Sequence, residues 1–282
     1  MGWTKRVAAV VVPLGLVVGG VAYGVSRHSS GDGAKDLGEC RTKVGDLTVV
    51  LTDEQARNAS LIAAVSVGRG MPAHAATIGL ATALQESKLY NLHGGDRDSL
   101  GLFQQRPSQG WGTPHQILDP LHATNAFYDA LDRVPGYDTL AVTKAAQEVQ
   151  HSGFPEAYAS YEGDARALAS ALTGYSPAAF SCHLPVPVGQ RTQPQLWARL
   201  IGSSLTPAFG RGVAVSVATG GHVQVAAPSS ARGWAIASYL VARAYRLDIS
   251  HVSYRGREWS AGSDGGWQRA SGGSTAGFVV VG

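Results

Sequence analysis

The chain has 282 residues, 44% hydrophobic and 15% charged, a balance that excludes a disordered chain and leaves room for two domains. Its 23 Lys and Arg against 20 Asp and Glu give a net charge of +3, with no basic run and no aromatic interleaving. Nothing in that distribution supports nucleic-acid binding, while a weakly basic surface suits an anionic wall or membrane face.

Taken in order, the chain opens with Lys5 and Arg6 ahead of an uncharged stretch, residues 7–25. That stretch approaches the roughly 20 apolar residues that a membrane span needs. The flanking positive charges place the N-terminus inside. A cleaved signal peptide fits less well, because Val21-Ala22-Tyr23 is a poor A-x-A site. Residues 1–26 therefore read as a single-pass anchor in the cell membrane, with everything after them extracytoplasmic, or secreted if the segment is removed. Residues 27–47 are small and polar and read as a tether. Cys40 and Cys182 fall at the two ends of the region that follows, and an exported chain tolerates a bridge between them.

Residues 48–182 have helical character. Thr52 with Gln55 three places on has the form of a capping box, and the helix it starts is expected to stop at Gly70. Pro72 opens an alanine-rich helix through Ser87, with Ile78, Ala81 and Leu84 at helical spacing. Glu86 lies in its last turn, where the helix dipole and apolar neighbours both disfavour the anion and raise the pKa. A general acid working near neutrality needs that shift. A Gly-rich polar loop follows, containing Asp96, Asp98 and Ser99. Gln104 and Gln105 carry amides suited to sugar hydroxyl and N-acetyl groups, and Trp111, between two glycines, offers a face for a sugar ring or for packing. Further helices are expected after Thr113-Pro114, after Asp119-Pro120, over 142–150 and over 164–173. His93, His115, His122 and His151 show no zinc-site spacing, so no metal is expected.

Three blocks carry a resemblance: Glu86-Ser87, then Gly101-Leu102-Phe103-Gln104, then Asp119-Pro120 with Asn125 and Tyr128. Their order and spacing are similar to the E-S … G-L-M-Q … D-P … N-I … Y-L pattern of lytic transglycosylases and goose-type lysozymes, over roughly residues 52–175. The fourth block departs. Where that family reads A-Y-N-x-G, this chain has Val149-Gln150-His151-Ser152-Gly153, with Gln150 at the tyrosine's place. The resemblance implies a lysozyme-like fold and a peptidoglycan substrate, cut between N-acetylmuramic acid and N-acetylglucosamine without cofactor or metal. Glu86 is then the general acid and base. Asp96 or Asp98 is the candidate second carboxylate of a hydrolase; Ser99, Gln104, Gln105, Trp111, Asn125 and Gln150 are candidates for shaping the site and touching substrate. A wall-binding or assembly protein with a decayed site is the competing reading.

Past Gly174 the composition shifts. Pro177, Pro185, Pro187 and Pro194 lead to the reading of residues 183–206 as a Pro-rich linker. Residues 207–282 then read as a small α+β domain: a hairpin around Thr219-Gly220-Gly221, an amphipathic helix over 231–247, and strands at 251–254 and 278–281. It resembles C-terminal domains of unknown role on exported actinobacterial proteins. Trp259 and Trp267 are expected to pack inside, although the run Arg255-Gly256-Arg257-Glu258-Trp259 also suits contact with a wall polymer. The fold class expected overall is α+β.

Overall fold

The helix formed by the alanine-rich run, α2 (Ala73–Ser87), is buried on every side from Ala75 to Leu84. A helix apolar all round belongs at the centre of a packed domain, and this one meets α1 (Asp53–Gly68), α4 (Pro120–Leu131), α5 (Val142–Gln150) and α6 (Glu162–Leu172). Its few polar side chains do not break the apolar surround. Thr77, Thr82 and Ser87 each return their hydroxyl to the carbonyl four residues back. Gly79 lets Tyr128 of α4 close in, since an added Cβ would come within 2.9 Å of its hydroxyl.

The computed structural model describes residues 38–152, 155–187, 193–271 and 277–282, and they form a mixed helix-and-sheet structure. The expected anchor, residues 1–26, lies outside the described residues. Among the described residues no helix is long and apolar enough to cross a membrane.

Local signals explain most of the helix starts. Thr52 and Gln55 make both bonds of the capping box ahead of α1. Thr113 and Gln116 repeat that box at the short α3 (Pro114–Ile117), and Asp119 caps α4 by accepting from the Leu121 amide.

Two expectations need correcting. The tether was to run to residue 47, but β1 (Glu39–Val44) lies within it, paired antiparallel with β2 (Leu47–Thr52) and β3 (Phe180–His183) in the order β2-β1-β3. Its polar composition hides a strand because only alternate residues, Cys40 and Thr42, face inward. The linker was to run to residue 206, but α7 (Pro194–Phe209) occupies its end. Pro194 sits in the first turn, where a missing N–H costs nothing, and Trp197, Ala198, Ile201, Leu205 and Ala208 form its buried stripe.

The C-terminal sheet is antiparallel, with strand order β4-β5-β9-β6-β7-β8: β4 (Val215–Val217), β5 (Val223–Ala226), β6 (His251–Tyr254), β7 (Arg257–Ser260), β8 (Gln268–Arg269) and β9 (Phe278–Val281). The expected wall-contact run is the β6–β7 hairpin. Arg255 and Gly256 form its turn with φ of 48° and 72°, the pair of positive values that a two-residue hairpin favours. Trp259 is fully buried, so its ring is not offered to a polymer.

The helical part and this sheet share one continuous core. Trp259 and Trp267 donate their indole N–H groups to the β3 carbonyls of Cys182 and Phe180, at 2.8 and 2.7 Å. The helix α8 (Ser230–Val241) packs on α1 and α6. Gly174, at φ +86° after α6, is where that contact is tightest; a Cβ there would lie 1.9 Å from the Ala231 carbonyl oxygen. Cys40 and Cys182 face one another across β1 and β3 and are joined as a disulfide, as expected.

Candidate active site

Glu86 is the penultimate residue of α2 and is partly buried. Its Oε1 accepts a hydrogen bond of 2.7 Å from the Tyr158 hydroxyl, and Gln150 also bonds to the carboxylate. Burial raises its pKa above the usual glutamate value; Tyr158, Gln150 and the nearby Lys88 charge pull the other way without cancelling it. The dominant cause is therefore the desolvation inferred from the apolar helix.

Tyr158 comes from the 3₁₀ helix Pro155–Tyr161. Three residues per turn stack positions 158 and 161 on one edge. That edge serves two neighbours on the α2 exit: Tyr158 meets Glu86, and Tyr161 bonds through its hydroxyl to Lys88, whose Nζ also lies 4.3 Å from the ring centroid. Tyr158 is fully buried, and burial together with the Glu86 carboxylate raises its own pKa, so it stays a donor.

The chain leaves α2 under strain. Lys88 and Leu89 are consecutive non-glycine residues at φ of 56° and 65°, a conformation costing on the order of 1–3 kcal/mol each. Two amides of α1 hold it there. Gln55 donates to the Lys88 carbonyl and Asn58 to the Leu89 carbonyl, both at 2.8 Å. The Ser87 hydroxyl shares its one proton between the Ala83 carbonyl and the nearer Leu102 carbonyl at 2.7 Å, tying the helix end to the loop opposite.

That loop is a tight turn closed by paired backbone bonds between Leu100 and Gln105. Gly101 and Gln104 take φ of 75° and 47° within it. Phe103 turns inward and stacks on Phe127 of α4, 4.6 Å between centroids, while its carbonyl accepts from Gln150 at 2.7 Å. Gln150, from the last turn of α5, thus lies between the turn and Glu86.

The other selected residues separate into groups. Gln104 is partly exposed and lies over Gly95, where a Cβ would come within 1.7 Å of its Oε1. Ser99 is buried beneath it. Gln105 is a correction: at 1% exposure it is inside, donating to the Ala123 carbonyl, so it braces the turn on α4 and offers nothing to a sugar. The Asn125 side chain bonds to the Leu121 carbonyl and to Arg69, which also pairs with Asp129 and Asp132. Trp111 is half-buried against the core edge, the packing alternative.

Asp98 accepts from the Ser108 amide at 2.8 Å and from Arg106 Nε at 2.6 Å, and the Ser108 side chain and amide, then Arg106, hold its pKa well below the usual carboxylate range. Its oxygens organise the loop. Asp96 is almost fully exposed and lies 3.8 Å from Arg97. Tyr158, Asn58 and the bond of Gln55 to the Lys88 carbonyl were not expected from the sequence; only the absence of a tyrosine at position 150 hinted that another would be needed.

Residues 203–277 match the VldE, C-terminal domain family. The match begins within α7 and ends before β9, which supplies a central strand of the sheet. No curated protein matches the chain.

Proposed function

We propose that the chain cleaves the glycan strand of peptidoglycan, with Glu86 as general acid and base. The observation that carries this reading is a single carboxyl at a helix end, desolvated enough to keep its proton more tightly than usual and oriented by Tyr158 and Gln150. Its neutral form donates a proton to the glycosidic oxygen as the C–O bond breaks, and its anion then takes a proton from the attacking hydroxyl. The Tyr158 bond keeps the anion available for that second step.

Of the two routes, the transglycosylase is favoured, in which the muramyl C6 hydroxyl attacks and an anhydro ring closes. Asp98 is committed to Arg106 and Ser108, and Asp96 stands in solvent, so neither has the guarded setting of a residue that positions water. A lysozyme-like fold for the helical part, a wall location and a membrane anchor in residues 1–26 belong to the same proposal.

The test is mass analysis of muropeptides released from purified peptidoglycan by the chain and by Glu86→Gln. Anhydro-muramyl ends made by the former and not the latter support the reading. Reducing ends point to a hydrolase. Absence of cleavage by both favours a binding or assembly role.

A further inference from the structure

A cleft of about 390 Å³ opens where α1 and the start of α4 meet α7 and α8, within the size range of about 300–1,000 Å³ of small-ligand sites. Its floor is apolar, with Leu61, Ala208 and Leu247, and three guanidinium groups line it: Arg57, Arg243 and Arg246. One of the three is balanced. Arg57 pairs with Asp53 at 3.1 Å, whereas no ion pair joins Arg243 or Arg246 to a carboxylate among the described residues. Arg243 is partly buried, spends one nitrogen on Ser60 Oγ and another on the Arg57 carbonyl, and lies 3.6 Å from the Tyr239 ring centroid. Arg246 is exposed.

Gathering like charges in a partly desolvated place is unfavourable unless something opposes them. Burial, with the charges of Arg57 and Arg246 adding to it, lowers the Arg243 pKa to about 10, and Asp53, already engaged, is the carboxylate that offsets this. Asp119, an acid in the lining, is occupied as the cap of α4, and Asn58 is occupied at Leu89.

We infer that this cleft binds a phosphate ester, with Arg243 and Arg246 as its ligands and the apolar floor under the esterified group. Phosphate is favoured over carboxylate because a tetrahedral anion accepts from donors converging at different depths, while a planar carboxylate is best served by one fork. The charged residues of the lining, Arg57, Arg243 and Arg246 against Asp119, sum to +2, which an anionic phosphate opposes. The ester belongs either to a small metabolite or to an anionic wall polymer.

The experiment titrates the purified full chain with glycerol 3-phosphate, with poly(glycerol phosphate) and with tricarballylate, at ionic strength held constant by sodium chloride, and follows heat release and the unfolding midpoint. Saturable binding of a phosphate probe is expected, weakened about tenfold or more by Arg246→Glu, a change at an exposed position that leaves folding intact. Equal affinity per phosphate for the two probes assigns a small ester; tight binding of the polymer alone assigns wall polymer. Arg243→Met is expected to abolish binding, and Arg246→Glu keeps the test alive if that variant misfolds. Binding of tricarballylate alone, no saturable binding, or binding unchanged in Arg246→Glu overturns the assignment.

Discussion

The Tyr158 hydroxyl lies 2.7 Å from Oε1 of Glu86, across 72 positions of sequence. The chain lacks a tyrosine at position 150, and Gln150 there favours the anion of the same carboxylate. A hydroxyl from the 3₁₀ helix and an amide from α5 together orient one acid.

Tyr158→Phe removes the donor that favours the Glu86 anion, so the Glu86 pKa should rise further. The alkaline limb of the pH–activity profile should then move to higher pH, while activity at the optimum falls because the anion is the base of the second step. Circular dichroism and the rate profile on purified peptidoglycan check this together. A fallen rate with an unmoved alkaline limb would assign Tyr158 to packing alone.

Glu86→Gln should lower cleavage by about 10²–10⁴-fold, the usual contribution of a general acid. Its effect on stability has a definite sign. The raised pKa means the folded chain binds the proton more tightly than the unfolded chain, so ionising Glu86 costs stability as pH rises from the ordinary glutamate range through the raised value. The variant, permanently neutral, should match the wild type in acid and exceed it near neutrality. Denaturation curves at both ends of that range measure the difference, and a variant less stable at neutral pH contradicts desolvation as the leading effect.

What was legible in the sequence was local. The Thr52–Gln55 box, Asp119 at its cap, α5 over 142–150 and the strands at 251–254 and 278–281 each rest on signals a few residues long. Tyr158 was hidden because its partner is remote and its own segment is a 3₁₀ helix, whose period the 3.6-residue reading does not follow. The adjacent Gln104 and Gln105 read alike, yet the positive φ at Gln104 sends one outward over Gly95 and the other into the core. Four prolines made residues 183–206 look like a linker, although Pro194 marks a helix start.

The two loop aspartates should respond differently. Asp98→Asn removes the charge and turns one of the two accepting oxygens, Oδ1 toward Arg106 and Oδ2 toward the Ser108 amide, into a donor, so it should loosen the loop and raise KM more than it lowers kcat. Because the Asp98 pKa is depressed, the stabilisation it gives is present above the ordinary aspartate range and is lost as pH falls toward the folded value. Asp96→Asn should leave both stability and rate close to wild type. A loss of turnover at Asp96 alone would instead give it the role of positioning water, and with it the hydrolase route.

The Cys40–Cys182 bridge closes a separation of 142 residues, for which the chain-entropy picture allows about 5 kcal/mol as an upper figure. Replacing both with serine should lower the unfolding midpoint markedly without altering the product pattern. Intact mass under non-reducing alkylation should find no free thiol in the native chain; two alkylated thiols contradict the bridge.

Stopping the chain after residue 187 tests whether the helical part stands alone. That truncation leaves the β3 carbonyls of Phe180 and Cys182 without the indole donors of Trp267 and Trp259. It also uncovers the side of α1 against which α7 and α8 pack, and it strips Arg243 from Ser60 and the Arg57 carbonyl. The four lost hydrogen bonds amount to about 2–6 kcal/mol together. The uncovered apolar face is the larger loss, at about 25 cal/mol per Å² exposed, and it also invites association. The truncated chain should therefore aggregate or melt without cooperativity, as read by size-exclusion chromatography and thermal scans. A monomer that melts sharply near the full-length midpoint would make the C-terminal sheet an appendage, with its own stability and its own boundary near residue 193.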